Sequence, residues 1–362
     1  MTVTPLMWRA LDNFAKLFKY MPKFPLDWDI PSQTLVSYKN SKNLFFWKLL
    51  MFSLFGANSL YIILLLGQVF GSVQLTFVQL LISILFLGLG LFIKLLEILM
   101  FSFTDNVSQS INSLVILEKQ IHFKKLLTNG QKLDIIGLVL NGMIGSFASY
   151  TFIVPTSSAY MQFDAYSLTQ IHLVPLAFRN VSIYIITPLK VTLFINCWII
   201  IRTLSLTVCV ATLSALMITS CISSLNNKAR IIAISGRAKI SKYFLEYDSC
   251  QIILHMAADF TTQAAALFLF YAFLFCIIYN FVALKMYRII PMPLFLFFPA
   301  VALLTLHLVK LLLPIMIGVS EESNELRNKW RRCLVSCHDK RDDKQKNFHQ
   351  GFMKLLKQQF RL

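Results

Sequence analysis

Residues 183–225 read IYIITPLKVTLFINCWIIIRTLSLTVCVATLSALMITSCISSL. A helix needs about 20 mainly apolar residues to cross roughly 30 Å of hydrocarbon, so this run is long enough for two crossings. Nothing inside it divides it. Pro188 and Lys190 stand near its start, and its middle carries no Gly, no Pro and a single charge, Arg202. One long helix projecting beyond the bilayer is therefore expected. The choice matters because a second crossing would reverse the side of every later loop.

Five further apolar runs flank this one: Leu44–Phe70, Leu75–Phe103, Ile135–Val154, Phe260–Leu284 and Pro293–Gly318. Lipid cannot hydrogen-bond an open backbone, so each is expected to be helical. No run alternates with period two for about ten residues, which argues against a β-barrel. The fold class read from these runs is all-α: a polytopic helical membrane protein with six transmembrane helices plus cytoplasmic amphipathic helices. Composition agrees. Apolar residues make up 57% of the 362-residue chain and charged ones 14%, against about 25% charged in soluble domains. An ordinary soluble enzyme, a disordered chain and a secreted disulfide scaffold are excluded.

The net charge is +17, and its placement decides its meaning. The basic residues sit in the gaps between apolar runs, which points to a lipid bilayer as partner and not to nucleic acid. With an inside N-terminus and six spans, the inner segments hold Arg9, Lys16, Lys19, Lys23, Lys39 and Lys42, then Lys119, Lys124, Lys125 and Lys132, then Lys228, Arg230, Arg237, Lys239 and Lys242, then the basic residues of 319–362. The outer loops hold only Arg179, Lys285 and Arg288. This asymmetry obeys the positive-inside rule. Splitting the 183–225 run would move the last two groups outside and weaken it. The expected layout is a basic cytoplasmic N-terminus (1–43), a six-span bundle (44–318) and a cytoplasmic amphipathic C-terminal segment (319–362), in the plasma membrane with both termini cytosolic. No h-region precedes the first span, which is expected to serve as its own insertion signal.

Within 319–362, Leu326, Trp330 and Leu334 recur every four residues, and Phe348, Phe352, Leu355, Leu356 and Phe360 form a second stripe beside Lys346, Lys354, Lys357 and Arg361. Two readings stand: a basic helix on the inner leaflet, or a packed cytoplasmic domain. In the one sizeable outer loop, 155–182, Asn180-Val181-Ser182 is a glycosylation acceptor pattern; Asn106-Val107-Ser108 falls on the inner side.

Catalytic chemistry has little support, and the chain is not expected to be an enzyme or to carry a cofactor. No phosphate-binding, dinucleotide-binding, metalloprotease or nucleophile-elbow motif occurs, and the six His are scattered. Cys333-x3-Cys337-His338 matches no standard zinc spacing, so no metal is expected. Charges within spans are functional candidates by default. Lys94 and Glu97, at i and i+3, are expected to form an intramembrane pair. Arg202 is expected to pair with an acid such as Glu97 or to snorkel inward. A small-ligand site would be mostly apolar with a few polar groups. Phe147, Tyr150, Thr151, Tyr184, Thr192, Asn196 and Tyr279, on the outer halves of three runs, are the candidate ligand-binding residues.

The whole layout resembles the arthropod gustatory and odorant receptor superfamily. The features that carry the resemblance are the short basic N-terminus, the Phe/Leu-rich spans, the larger second outer loop and the long later spans followed by an amphipathic segment. Phe24-Pro-Leu-Asp-Trp-Asp-Ile-Pro31 and Ser320-Glu-Glu-Ser-Asn-Glu-Leu-Arg327 are similar in style to divergent members. The resemblance implies a subunit of a ligand-gated cation channel, a small-molecule tastant or odorant as ligand, and a homo- or hetero-oligomer, a tetramer in that family. It also implies a seventh, pore-lining helix marked by Thr-Tyr and, about five residues on, Gln-Phe. Here Gln359-Phe360 follows KLLKQ without Thr-Tyr or an apolar span, so the chain alone is expected not to conduct. The alternatives are a six-span transporter and a non-conducting membrane scaffold.

Overall fold

The computed structural model describes residues 3–39, 44–122, 134–232 and 237–287, with short stretches between 289 and 329. The chain is helical and carries five helices long and apolar enough to cross a membrane. The sixth expected span, Pro293–Gly318, is described only in part, and the Phe348–Phe360 stripe and Cys333-x3-Cys337-His338 fall outside the described residues.

The N-terminal segment is more than a charged lead-in. Thr4 Oγ1 accepts from the Met7 N–H, and Pro5 opens α1 (Pro5–Leu17) where a missing N–H costs nothing. Met7, Ala10, Leu11 and Phe14, at i, i+3, i+4 and i+7, are all buried. Next come β1 (Leu26–Asp29) and β2 (Thr34–Ser37), an antiparallel hairpin in the register Leu26↔Ser37 to Asp29↔Thr34. This is the one departure from an all-helical chain among the described residues. Ser32 closes its turn, donating from its N–H and Oγ to Asp29 Oδ2 at 3.2 and 2.6 Å. Leu26, Trp28 and Leu35 are buried, and Trp8 of α1 stacks on Trp28 with centroids 5.6 Å apart.

The first span is α2 (Phe45–Val69). It ends in a Schellman cap: Ser72 N–H donates to Gly67 O, Gly71 N–H to Gln68 O, and Gly71 takes φ 73°, which a side chain would oppose. Thr76 and Gln79 then form a reciprocal capping box that starts α3 (Phe77–His122). This helix runs well past the expected end at Phe103. Its later half, with Thr104, Ser108 and Asn112, is too polar for lipid but is covered by the hairpin. Leu35 N–H donates to Asn112 Oδ1, and Leu35 O accepts from Ser108 Oγ and Asn112 Nδ2. Two helix side chains thereby satisfy the backbone of a strand edge.

After α4 (Ile135–Tyr160), capped by Asp134, the expected loop 155–182 is mostly structured. α4 continues through Pro155, α5 (Ala165–His172) follows, and a 3-10 turn at Leu176–Phe178 leads into the next helix. That helix, α6 (Arg179–Ile232), is unbroken over 54 residues, as the absence of an internal turn signal required. Finally, α7 (Arg237–Lys285) begins more than twenty positions before the expected Phe260.

These helices share two ends. One, the hairpin end, gathers α1, the hairpin, the later half of α3, the start of α4 and parts of α6 and α7 around one core. The other, the α5 end, joins α2 to α5. α6 is central: 72% of its most apolar window is buried, against 28% for α2 and 22% for α7. The outward faces of α2 (Phe45, Phe46, Phe52, Phe55) and α7 (Phe270, Phe273, Ile277, Phe281) are exposed large apolar surfaces, of an extent that water does not tolerate and lipid does.

Candidate functional site

The chemistry-bearing side chains converge where the hairpin meets α3 and α6. Arg202 Nη1 donates to Pro22 O at 2.6 Å, and Nη2 to Asp27 Oδ2 at 3.1 Å. Its guanidinium also lies 5.0 Å from the Phe24 ring centroid. Arg202 is 4% exposed, so this acid and carbonyl replace most of its hydration. One helix position away, Thr203 Oγ1 donates to Glu97 Oε1 at 2.7 Å, and Glu97 is fully buried. Trp47 and Arg202 are among the electrostatic neighbours of that carboxylate, whose Oε2 has no hydrogen-bond partner among the described residues.

The expected Lys94–Glu97 pair is corrected by this arrangement. Glu97 turns into the α3–α6 seam, where Thr203 and the Arg202 charge hold it. Lys94 sits on the flank facing α2, its Nζ 3.7 Å from the Phe55 ring centroid. No ion pair joins the two; spacing made them neighbours, and tertiary partners drew them apart. Arg202 likewise takes Asp27 as its hydrogen-bonded partner in place of Glu97, since the hairpin brings that acid within reach.

Depth along the helices is informative. Counted at 1.5 Å per residue from the α5 end, Glu97, Arg202 and Asn141 each lie about 30 Å along α3, α6 and α4. Asn141 Oδ1 accepts from Asn13 Nδ2, and its Nδ2 donates to Leu6 O, tying α1 to α4 at the same level. Thr4 Oγ1 bonds Asp134 nearby. A layer of polar side chains thus lies about one hydrocarbon thickness from the α5 end, and the N-terminal module packs against it.

The candidate ligand residues do not form one pocket. Thr192 and Asn196, one turn apart on α6, face α5 and α2: Thr192 Oγ1 lies 2.8 Å from Tyr166 OH, and Asn196 Oδ1 accepts from Ser53 Oγ at 3.3 Å. Tyr61 and the buried Asp164, which caps α5 through Ser167, stand beside this group. Phe147 packs into the hairpin-end core, Tyr150 lies partly against it, and Thr151 bonds back to Ala148 O. Tyr279 belongs to the α3–α7 cluster with Phe275 and Phe298. Tyr184 is 83% exposed. The Asn180 side chain lies outside the described residues. An open groove of about 460 Å³ runs along one face of α4, lined by Phe152, Ile153, Thr156, Ser157, Tyr160 and Met161.

Sequence reasoning passed over Asp27, Trp47, Tyr61, Asp164 and Tyr166. The Thr4-Pro5 start and the Met7/Ala10/Leu11/Phe14 spacing were visible signals for α1. Nothing local marks Asp27 as the partner of a residue 175 positions away. Compared with protein-family models, curated proteins and solved structures, the chain matches none.

Proposed function

We propose that the chain is a gustatory/odorant-receptor-like chemoreceptor, a subunit of a ligand-gated cation channel in the plasma membrane, with its hairpin end in the cytosol. What supports the reading is that α3, α6 and α7 run to 46, 54 and 49 residues, more than twice the ~20 needed to span. Their surplus lies at one end and packs with the N-terminal module into a shared core. A receptor that joins subunits below the bilayer needs such a body. Leu326, beyond the last described span, packs on Ile222 and Leu225 of α6 at the same end.

In this reading a small tastant or odorant enters the α5 end. Thr192, Asn196 and Tyr166 are the polar groups that orient it, against the apolar walls of α2 and α6. The hairpin-end helices make the oligomer contacts, in a homo- or hetero-tetramer. The chain is not an enzyme in this reading and carries no cofactor. The test is the purified chain, alone and with a co-expressed receptor of the same architecture, weighed by mass photometry and recorded in planar bilayers. With the partner receptor, a four-subunit species with ligand-evoked cation current is expected, weakened by Thr192→Val with Asn196→Leu; the chain alone should carry no current. A monomer that moves solute without current would overturn the reading.

A further inference from the structure

The rim of the N-terminal module combines three features found together nowhere else among the described residues. The first is level: Pro22 is bonded to Arg202, and Asn13 to Asn141, so the stretch between them stands about one hydrocarbon thickness from the α5 end. The second is a one-sided charge. From Asn13 to Leu26 the chain has Lys16, Lys19 and Lys23 and no acid, and Arg9 shares a face of α1 with Lys16 at i and i+7. All four are exposed. The module's own acids are engaged: Asp12 accepts from Trp28 Nε1, Asp27 is held by Arg202, and Asp29 accepts from Ser32 in the exposed hairpin turn. The third is an amphipathic fringe. Tyr20 is 90% exposed and Leu17 38% exposed, and Phe45 and Phe46 at the start of α2 are also exposed.

We propose that this rim docks on anionic lipid headgroups. Tyr20 and Leu17 reach the headgroup–acyl boundary, where a ring with a polar tip is favoured. Arg9, Lys16, Lys19 and Lys23 meet the phosphate and carboxylate charges above it. α1 therefore differs from an ordinary surface-seeking amphipathic helix: its apolar face is spent on the protein core, and its basic edge and following turn face the lipid. The inference stands on depth and charge alone and does not depend on the chemoreceptor reading.

The experiment uses the full chain, solubilised from bilayers of phosphatidylcholine with a minority of phosphatidylserine, and measures the serine-to-choline headgroup ratio of co-purified lipid by mass spectrometry. Enrichment of phosphatidylserine that falls with added salt is expected. The Lys16→Gln, Lys19→Gln, Lys23→Gln triple variant should lose it severalfold. The matching Lys→Arg triple variant should keep it, as should Lys190→Gln with Lys285→Gln at the other end. Lys19→Glu alone, a change at an exposed position, should lower it if the triple variant does not fold. No enrichment in the native chain would overturn the proposal. So would equal loss in the Lys190/Lys285 control, or enrichment that survives the triple variant, which would leave these lysines to a soluble partner.

Discussion

Arg202 shows how a single buried charge is made tolerable. An isolated guanidinium at the edge of hydrocarbon is costly; here a carbonyl, a carboxylate and an aromatic face receive it. Removing one partner of such a pair costs more than the pair itself contributes. Arg202→Met should therefore lower stability by about 2–3 kcal/mol, a figure below the fully buried range because Asp27 retains some access to water. Asp27→Asn, which keeps the hydrogen bond and drops the charge, should cost about 1 kcal/mol. Thermal unfolding in detergent reads both. Equal effects would mean that Asp27 carries the whole contribution and that the Pro22 carbonyl carries none. Such pairing was beyond reach of the sequence, because charge complementarity across 175 positions leaves no periodic trace. The i, i+3 spacing of Lys94 and Glu97 did leave one, and it misled. Neighbouring positions on a helix can serve different seams when other helices supply better partners.

At the scale of elements, the apolar runs were legible and their ends were not. Hydropathy locates where a helix meets lipid. It is blind to helix that continues under protein cover, which is why α3 and α7 extend far beyond their apolar segments. α6 was legible as one helix because a turn needs residues that its interior lacks. The contact of α2 with α3 depends on a feature hydropathy ignores. At Gly90 an added Cβ would collide with the side-chain amide of Asn58, itself buried. Small residues at such crossings let helix backbones approach. Gly90→Leu should push the two helices apart and cost about 1–3 kcal/mol by overpacking. Asn58→Ala in the same chain should recover part of that loss. A Gly90→Leu variant with unchanged unfolding temperature would show that this seam is slack.

For the whole molecule, the bundle combines five lengths apolar enough to cross a membrane with a hairpin-end body packed around the N-terminal module, and in the proposed topology the basic residues set which side each takes. Tyr184 at the α5 end and Tyr20 at the hairpin end are 83% and 90% exposed and lie on opposite sides in this arrangement. An impermeant thiol reagent should label Tyr184→Cys on intact cells and Tyr20→Cys only after permeabilisation. The reverse pattern would invert the protein in its membrane. Five of the six expected apolar runs coincide with helices long and apolar enough to cross a membrane, since apolar content is additive over many residues. The N-terminal module was not legible in the sequence, because its fold exists only against surfaces supplied by α3, α4 and α6.

That dependence sets an order of events during synthesis. The hairpin's partners Ser108 and Asn112 leave the ribosome first, and those of α1 on α4 follow. Arg202 comes last, 180 positions after Pro22. At about 5–20 residues per second, roughly 10–35 s of elongation separate the emergence of Asp27 from that of its cation. Until then the module lacks its lock, so of the contacts that hold it, the last to close is the one that reports the arrival of α6.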